Sequence, residues 1–194
     1  MKKLLAVFVM GLSASAFAEG SDTHFYAGVG LDAGGDEVAK VKLSDGSSEA
    51  IDAGAGVSFT LGADIDLSED TMLRATLGYK FDNVSAENGD MTFSRVPLEV
   101  LGYRFWGEHG IGGGLGYHTA VKFDCDFSGV CNDSVDLDDE LGLIVEYLYR
   151  SRREDSNKGF SIGVRAGLGY EYQADGGGGS VDGNYLGVNL GITL

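Results

Sequence analysis

Ile51-Asp-Ala-Gly-Ala-Gly-Val-Ser-Phe-Thr-Leu-Gly-Ala-Asp-Ile-Asp-Leu67 decides the fold class. Its odd-numbered positions are all apolar, from Ile51 through Phe59 to Leu67. Its even-numbered positions are Asp, Gly, Ser or Thr. A period of two over such a run predicts a β-strand with one apolar and one polar face. A slip of one residue would carry three aspartates into the apolar side, so the register is well specified. Ordinary strands run about 5–6 residues, whereas a tilted membrane crossing takes about 9–11. The stretch is long enough to cross a bilayer and continue beyond it.

Seven further segments repeat the pattern. They are His24–Asp32 before it and Met72–Phe81, Met91–Phe105, Ile111–Phe123, Asp136–Tyr149, Phe160–Tyr172 and Asn184–Leu194 after it. In the last of these, Leu186, Val188, Leu190, Ile192 and Leu194 share a face. Met91–Phe105 is the least regular. Val96, Leu98 and Val100 lie on one face and Leu101, Tyr103 and Phe105 on the other, with Pro97 between. Proline cannot donate to a ladder and is tolerated at bulges, so a face-switching bulge is expected there. In Ile111–Phe123, Val121 and Phe123 are read on the face of Ile111, Leu115 and Tyr117.

The eight segments predict an all-β fold: an eight-stranded antiparallel up-and-down transmembrane β-barrel. The connections after strands one, three, five and seven are long (33–50, 82–90, 124–135, 173–183), and those after two and four are short. Outer-membrane barrels combine long external loops with short periplasmic turns. The topology would gather Tyr79, Phe81, Phe123, Tyr170 and Tyr172 at the outer rim. Phe105, Trp106, Tyr147, Tyr149 and Phe160 would gather at the periplasmic one. Two aromatic belts suit a membrane's two interfaces.

The ends and the composition agree. Lys2 and Lys3, the apolar run Leu4–Leu12 and Ala16-Phe17-Ala18 form a secretory signal pattern. Cleavage is expected between Ala18 and Glu19, leaving one barrel domain over 19–194. The apolar run is too short for a transmembrane helix. The chain has 32 glycines and one proline, as suits a curved sheet whose N–H groups nearly all belong to a ladder. Its net charge of −16 argues against a nucleic-acid partner, because phosphate binding needs a basic surface.

The alternation points several charges inward: Asp64, Asp66, Arg74, Lys80, Glu99, His118, Lys122, Glu146, Arg165 and Glu171. Eight strands enclose just enough room for side chains, and an unpaired charge there costs several kcal/mol. One reading is a plug of paired charges built on Asp64, Arg74, Glu99, His118, Glu146 and Arg165. The other is a narrow channel for ions or small solutes, with inward glycines leaving space for water. Cys125 and Cys131, in the third long loop of an exported chain, predict a disulfide. That loop also carries a run of aspartates. These read as a solvated acidic rim, with divalent-cation bridging to lipopolysaccharide or attraction of a basic partner as alternatives. Arg150, Arg152 and Arg153 read as a headgroup anchor or a solvated turn. Gly110–Gly116 leads into a strand, so it is not a nucleotide loop. No cofactor or metal site is expected.

The signal pattern, the eight alternating strands and the final Tyr185-Leu-Gly-Val-Asn-Leu-Gly-Ile-Thr-Leu194 resemble the small outer-membrane barrels of the OmpA/OmpX-like superfamily. The resemblance covers 19–194. It implies residence in the outer membrane of a Gram-negative bacterium, contact with outer-membrane lipid and lipopolysaccharide, and insertion by the barrel-assembly machinery. The last strand looks like the signal that machinery reads, ending in Leu194 where Phe is usual. No counterpart of an appended peptidoglycan-binding domain is expected, and the chain is read as a monomer. Some such barrels modify lipids. Their deacylases carry a His-x-Ser pair, but the residue two after His118 is Ala120. A non-enzymatic structural or surface-interaction role is therefore expected, ahead of the channel and of a lipid-modifying enzyme.

Overall fold

The computed structural model describes residues 22–42, 46–86, 88–128, 131–152, 158–174 and 179–194. The expected signal segment and the Ala18–Glu19 cleavage site lie outside them. The described strands, in chain order, are β1 (Asp22–Ala33), β2 (Glu37–Lys42), β3 (Ser48–Asp52), β4 (Gly56–Ser68), β5 (Thr71–Ala86), β6 (Gly89–Trp106), β7 (His109–Phe127), β8 (Cys131–Asp136), β9 (Glu140–Arg152), β10 (Gly159–Leu168), β11 (Glu171–Gln173), β12 (Ser180–Asp182) and β13 (Tyr185–Thr193).

Eight of them close a barrel. Antiparallel pairing runs β1–β4–β5–β6–β7–β9–β10–β13 and returns to β1, where Tyr26 faces Thr193 and Ala33 faces Leu186. Closure gives every ladder group a partner, which lipid demands because it offers no hydrogen bonds. Side chains are distributed inside out. Phe59, Leu61, Leu77, Leu143, Val164 and Leu186 are among many large apolar residues on the outer wall, Leu61 being 57% exposed. Asp64, Arg74, Glu99, Glu146 and Arg165 are buried within. Water would not tolerate an apolar patch of that extent, but a bilayer requires one.

The opening stretch is two elements rather than one. β3 ends at Asp52, residues 53–55 turn, and β4 starts at Gly56. Gly56 has φ +128°, and a Cβ there would sit 2.3 Å from the Phe81 carbonyl oxygen, so a side chain has no room. Below the turn the expected faces hold, with Phe59 and Leu61 toward lipid. Above it Ile51 and Ala53 are fully buried at the barrel mouth.

Three of the long loops are largely strand. β2 pairs with β3, β8 pairs with the end of β7, and β11 pairs with β12. The segment expected as a loop at 82–90 mostly extends β5 and β6, which stay paired to Ala86 opposite Gly89.

Pro97 does not switch faces. Alternate residues from Met91 to Phe105, Pro97 included, stay buried, and the β5–β6 register is the same at Leu77↔Leu98 and Lys80↔Arg95. The apolar residues change sides because the periplasmic end of the lumen is itself greasy. The bulge lies across from it on β7, where Ser94↔Lys122 and Val96↔Thr119 differ by one residue and Ala120 takes φ 50°. It turns Val121 inward, against expectation. Phe123, also expected on the outer wall, packs against the interior cluster at the mouth.

The aromatic belts are smaller than the alternation predicts. Tyr79 at the outer side, and Trp106, Tyr147 and Phe160 at the periplasmic side, are exposed. Phe105 points inward. Gly169, at φ +81°, ends β10 and turns the following residues, so Tyr170 and Tyr172 enter the lumen.

Leu61→Arg, on the lipid-facing wall, is expected to cost about 2–4 kcal/mol. Asp133→Arg on β8 is expected to stay within about 0.5 kcal/mol of wild type. Urea titrations of the barrel in lipid vesicles measure both.

Candidate functional site

The lumen is filled in layers. At the periplasmic end His24 lies 3.3 Å and Arg150 3.2 Å from the Asp66 carboxylate, and the Arg150 guanidinium covers the Phe105 ring at 4.0 Å. Arg150 therefore faces the lumen and is neither headgroup anchor nor solvated turn. The Arg152 side chain and Arg153 lie outside the described residues. Above it Met72, Leu101, Tyr103, Phe105, Ile144 and Leu148 form an apolar layer.

The paired charges follow. Arg74 grips Asp64 with two hydrogen bonds, 2.7 and 2.9 Å, while Thr193 donates to the same carboxylate at 3.0 Å. The Arg74 guanidinium sits 3.6 Å from the centre of the Tyr26 ring. Arg165 faces Glu146 in the strand register yet donates to Glu99, three strands away around the wall, and to the Tyr185 hydroxyl at 2.7 Å. Glu146 instead accepts from Tyr103 at 3.0 Å and Asn189 at 2.9 Å. The cavity among Tyr26, Ser58, Glu99, Glu146, Arg165 and Asn189 measures ≈ 10 Å³, about the space of one water.

His118 stands apart from these ions. Its ring stacks on Tyr170 at 4.0 Å between centroids, and its Nδ1 lies 2.5 Å from the Tyr172 hydroxyl. Asp66 and Lys80 do face inward, as expected. Lys122 and Glu171 do not: Lys122 pairs with Asp124 at 2.8 Å on the external hairpin, past the Ala120 bulge, and Glu171 is exposed beyond Gly169.

Over the ions sits a cap that the sequence pattern did not reveal. Lys80 pairs with Asp32 at 2.7 Å and donates to the Gly54 carbonyl at 2.8 Å. Arg95 donates to the Ala55 carbonyl at 3.0 Å. Two buried cations thus hold the turn 53–55 from below. From above, the Ala53 amide donates to the Asp36 carbonyl at 2.9 Å and the Gly54 amide to the Gly34 carbonyl at 3.0 Å. Only glycine fits at position 54, since a Cβ would lie 2.2 Å from the Asn184 carbonyl oxygen. Ile51 and Ala53 then close the mouth against Phe93, Val121, Phe127 and Tyr172. Arg95 was legible: it continues the inward row of Glu99 unless Pro97 is taken to break it.

Cys125 and Cys131 are joined in the β7–β8 hairpin, with Cα atoms 5.9 Å apart. Among the described residues no three His, Cys, Asp or Glu side chains converge as a metal site. In the Ser68–Thr71 turn, outside the spanning segments, the Ser68 hydroxyl donates to Asp70 at 2.9 Å and Arg104 pairs with it. The hydrogen bond from Ser68, then Arg104, hold the Asp70 carboxyl below its ordinary 3.8.

Comparison with known proteins fits this architecture. The sequence model of the outer membrane protein beta-barrel domain matches residues 4–193. The chain belongs to that family. Membership places it in the outer membrane of Gram-negative bacteria. Among solved structures it is similar in fold to Neisserial surface protein A, at 14% identity and TM-score 0.52, over 91% of this chain and 99% of that one. It also matches Ail, the attachment invasion locus protein of Yersinia pestis, solved with the heparin analogue sucrose octasulfate (11% identity, 90% and 99% coverage, TM-score 0.49). A third match is OprG from Pseudomonas aeruginosa (13%, 88% and 96%, TM-score 0.46). No curated protein matches the sequence.

Two measurements check the lumen and the turn. Asp64→Asn and Arg74→Met are each expected to cost about 3–5 kcal/mol in urea unfolding, and the double variant much less than their sum, because each single change strands a buried partner. Asp70 is expected to titrate below 3.8 by carboxyl NMR. Ser68→Ala should move it upward, so the turn's electrostatic support fades only as pH falls through that lowered value.

Proposed function

We propose that this barrel is a closed, non-enzymatic surface protein. Its external hairpins are the working part, and its lumen is a stabilising plug. The supporting observation is a segregation of charge. Segments 34–56, 82–93, 122–140 and 170–184, on the side of the long connections, hold eighteen of the chain's acidic residues and three lysines. The spanning wall and the lumen are close to balanced. A surface so acidic attracts cationic partners over a Debye length of about 8 Å and repels polyanions. Lipopolysaccharide, itself anionic, would then meet the hairpins through divalent cations. The hairpins are paired strands, and the disulfide ties β7 to β8, so the charges are presented on a rigid frame.

The closed lumen sets this reading against the channel. A cavity the size of one water, below a cap pinned by Lys80 and Arg95, supports a closed lumen over an open one. The folded barrel in a planar bilayer is expected to pass no discrete current, and steady wild-type openings would sink the plug. In vesicles, the same barrel is expected to bind a lysine-rich peptide with an affinity that falls as salt rises. Replacing Asp133, Asp136 and Asp138 together by Asn should weaken binding about tenfold, roughly 1.4 kcal/mol. Unchanged binding would remove the hairpins from the contact surface.

A further inference from the structure

The chamber beneath turn 53–55 holds more positive than negative charge. Lys80 and Arg95 are both buried there, Arg95 completely, and the carboxylate that reaches them is Asp32. Asp32 spends Oδ2 on Lys80. Its Oδ1 points at Gly187 on β13, a Cβ of which it would nearly overlap. Arg95 uses one nitrogen on the Ala55 carbonyl. Its Nε and Nη1 meet no hydrogen-bond partner among the described residues. Asp32 and Asp82 act on it only through space. His118, the next polar group below, has its Nδ1 engaged by the Tyr172 hydroxyl. A guanidinium does not shed its proton. Burying one without a counter-charge costs several kcal/mol. Water could satisfy these N–H groups but not the charge.

We propose that Arg95, backed by Lys80, holds a small monovalent anion of halide size beneath turn 53–55. The charge of the ligand follows from Arg95, a buried cation that no carboxylate contacts among the described residues. The ligand's small size is argued from the surroundings: Phe93, whose ring centre is 5.0 Å from the Arg95 guanidinium, and the buried cap of Ile51 and Ala53 offer no donor to the outer oxygens of an oxyanion. The anion is a structural ligand of the cap, so it stabilises the closed barrel and need not pass through it.

The test uses the complete folded barrel in detergent micelles, at matched ionic strength in sodium chloride and in sodium gluconate, whose anion is too large to enter. A ligand bound only by the folded state raises the folded-to-unfolded ratio about tenfold at ten times its dissociation constant. Wild type is therefore expected to unfold at higher urea in chloride, and Arg95→Gln to lose the difference. Lys122→Gln, on the exposed hairpin, should keep it. Identical wild-type midpoints in the two salts, or a chloride effect that survives Arg95→Gln, would overturn the site. Bromide NMR linewidths on wild type give a reading that does not depend on the variant folding. Excess broadening that saturates at one ion per barrel, and is displaced by chloride, supports the site. Broadening that grows linearly with bromide shows diffuse surface association only and overturns it.

Discussion

The pairing of β1 with β13 is the constraint from which the rest follows. Lipid cannot accept an open sheet edge, so the first and last barrel strands must meet along their length, from Tyr26 opposite Thr193 to Ala33 opposite Leu186. Once the ladder closes on eight strands, the interior is too narrow for a hollow and too polar for a dry hydrocarbon core. Side chains must fill it, and its charges find partners across the bore as well as along the wall, where Asp64 meets Arg74 in register. Arg165 illustrates this. Its neighbour in register is Glu146, but its hydrogen bond goes to Glu99 on β6, which ties opposite walls together.

That cross-bore tie lets the lumen be read as a sequence of charge states along its axis. Asp66 is matched by Arg150, Asp64 by Arg74 and Glu99 by Arg165. Glu146 is left to neutral donors and the nearby arginines. Above the His118–tyrosine stack, Asp32 is matched by Lys80 and Arg95 is left over. One spare negative and one spare positive charge thus sit on either side of an aromatic partition, with His118 paired to Pro97 at its level. The lumen is neutral as a whole and polarised locally, with Glu146 the spare carboxylate below the partition and Arg95 the spare cation above it.

Wherever the backbone kept a period of two, the sequence made the structure legible. Leu186 to Leu194 and Phe59 to Leu61 could be assigned to faces by parity alone, because lipid on one side and packed polar groups on the other punish every slip. Parity failed at single residues that reset it. Gly56, Ala120 and Gly169 take left-handed φ values, and after each the chain resumes alternation on the opposite face. Glycines are too common here for any one to stand out, and Ala120 gives no signal at all. Pro97 misled in the other direction: it looks like a breaker but merely omits a ladder bond, while Arg95 and Glu99 stay in one inward row. The external hairpins were obscured because water faces both sides of them, leaving composition without a period.

These resets are also what build the cap. Gly56 lets β4 leave the wall so that Ile51 and Ala53 fold back over the bore. The Ala120 bulge brings Val121 under them, and Gly169 delivers Tyr170 and Tyr172. Three local departures from alternation, on three different strands, converge on one apolar cluster at the mouth. The cluster cannot hold the turn 53–55 by burial alone, since its carbonyls must be satisfied once water is excluded. Lys80 and Arg95 supply those donors. The cations therefore belong to the cap rather than to the ion-pair ladder below it. Removing either would leave a main-chain carbonyl of the turn without its donor, so the mouth of the barrel and its charged interior are energetically one unit.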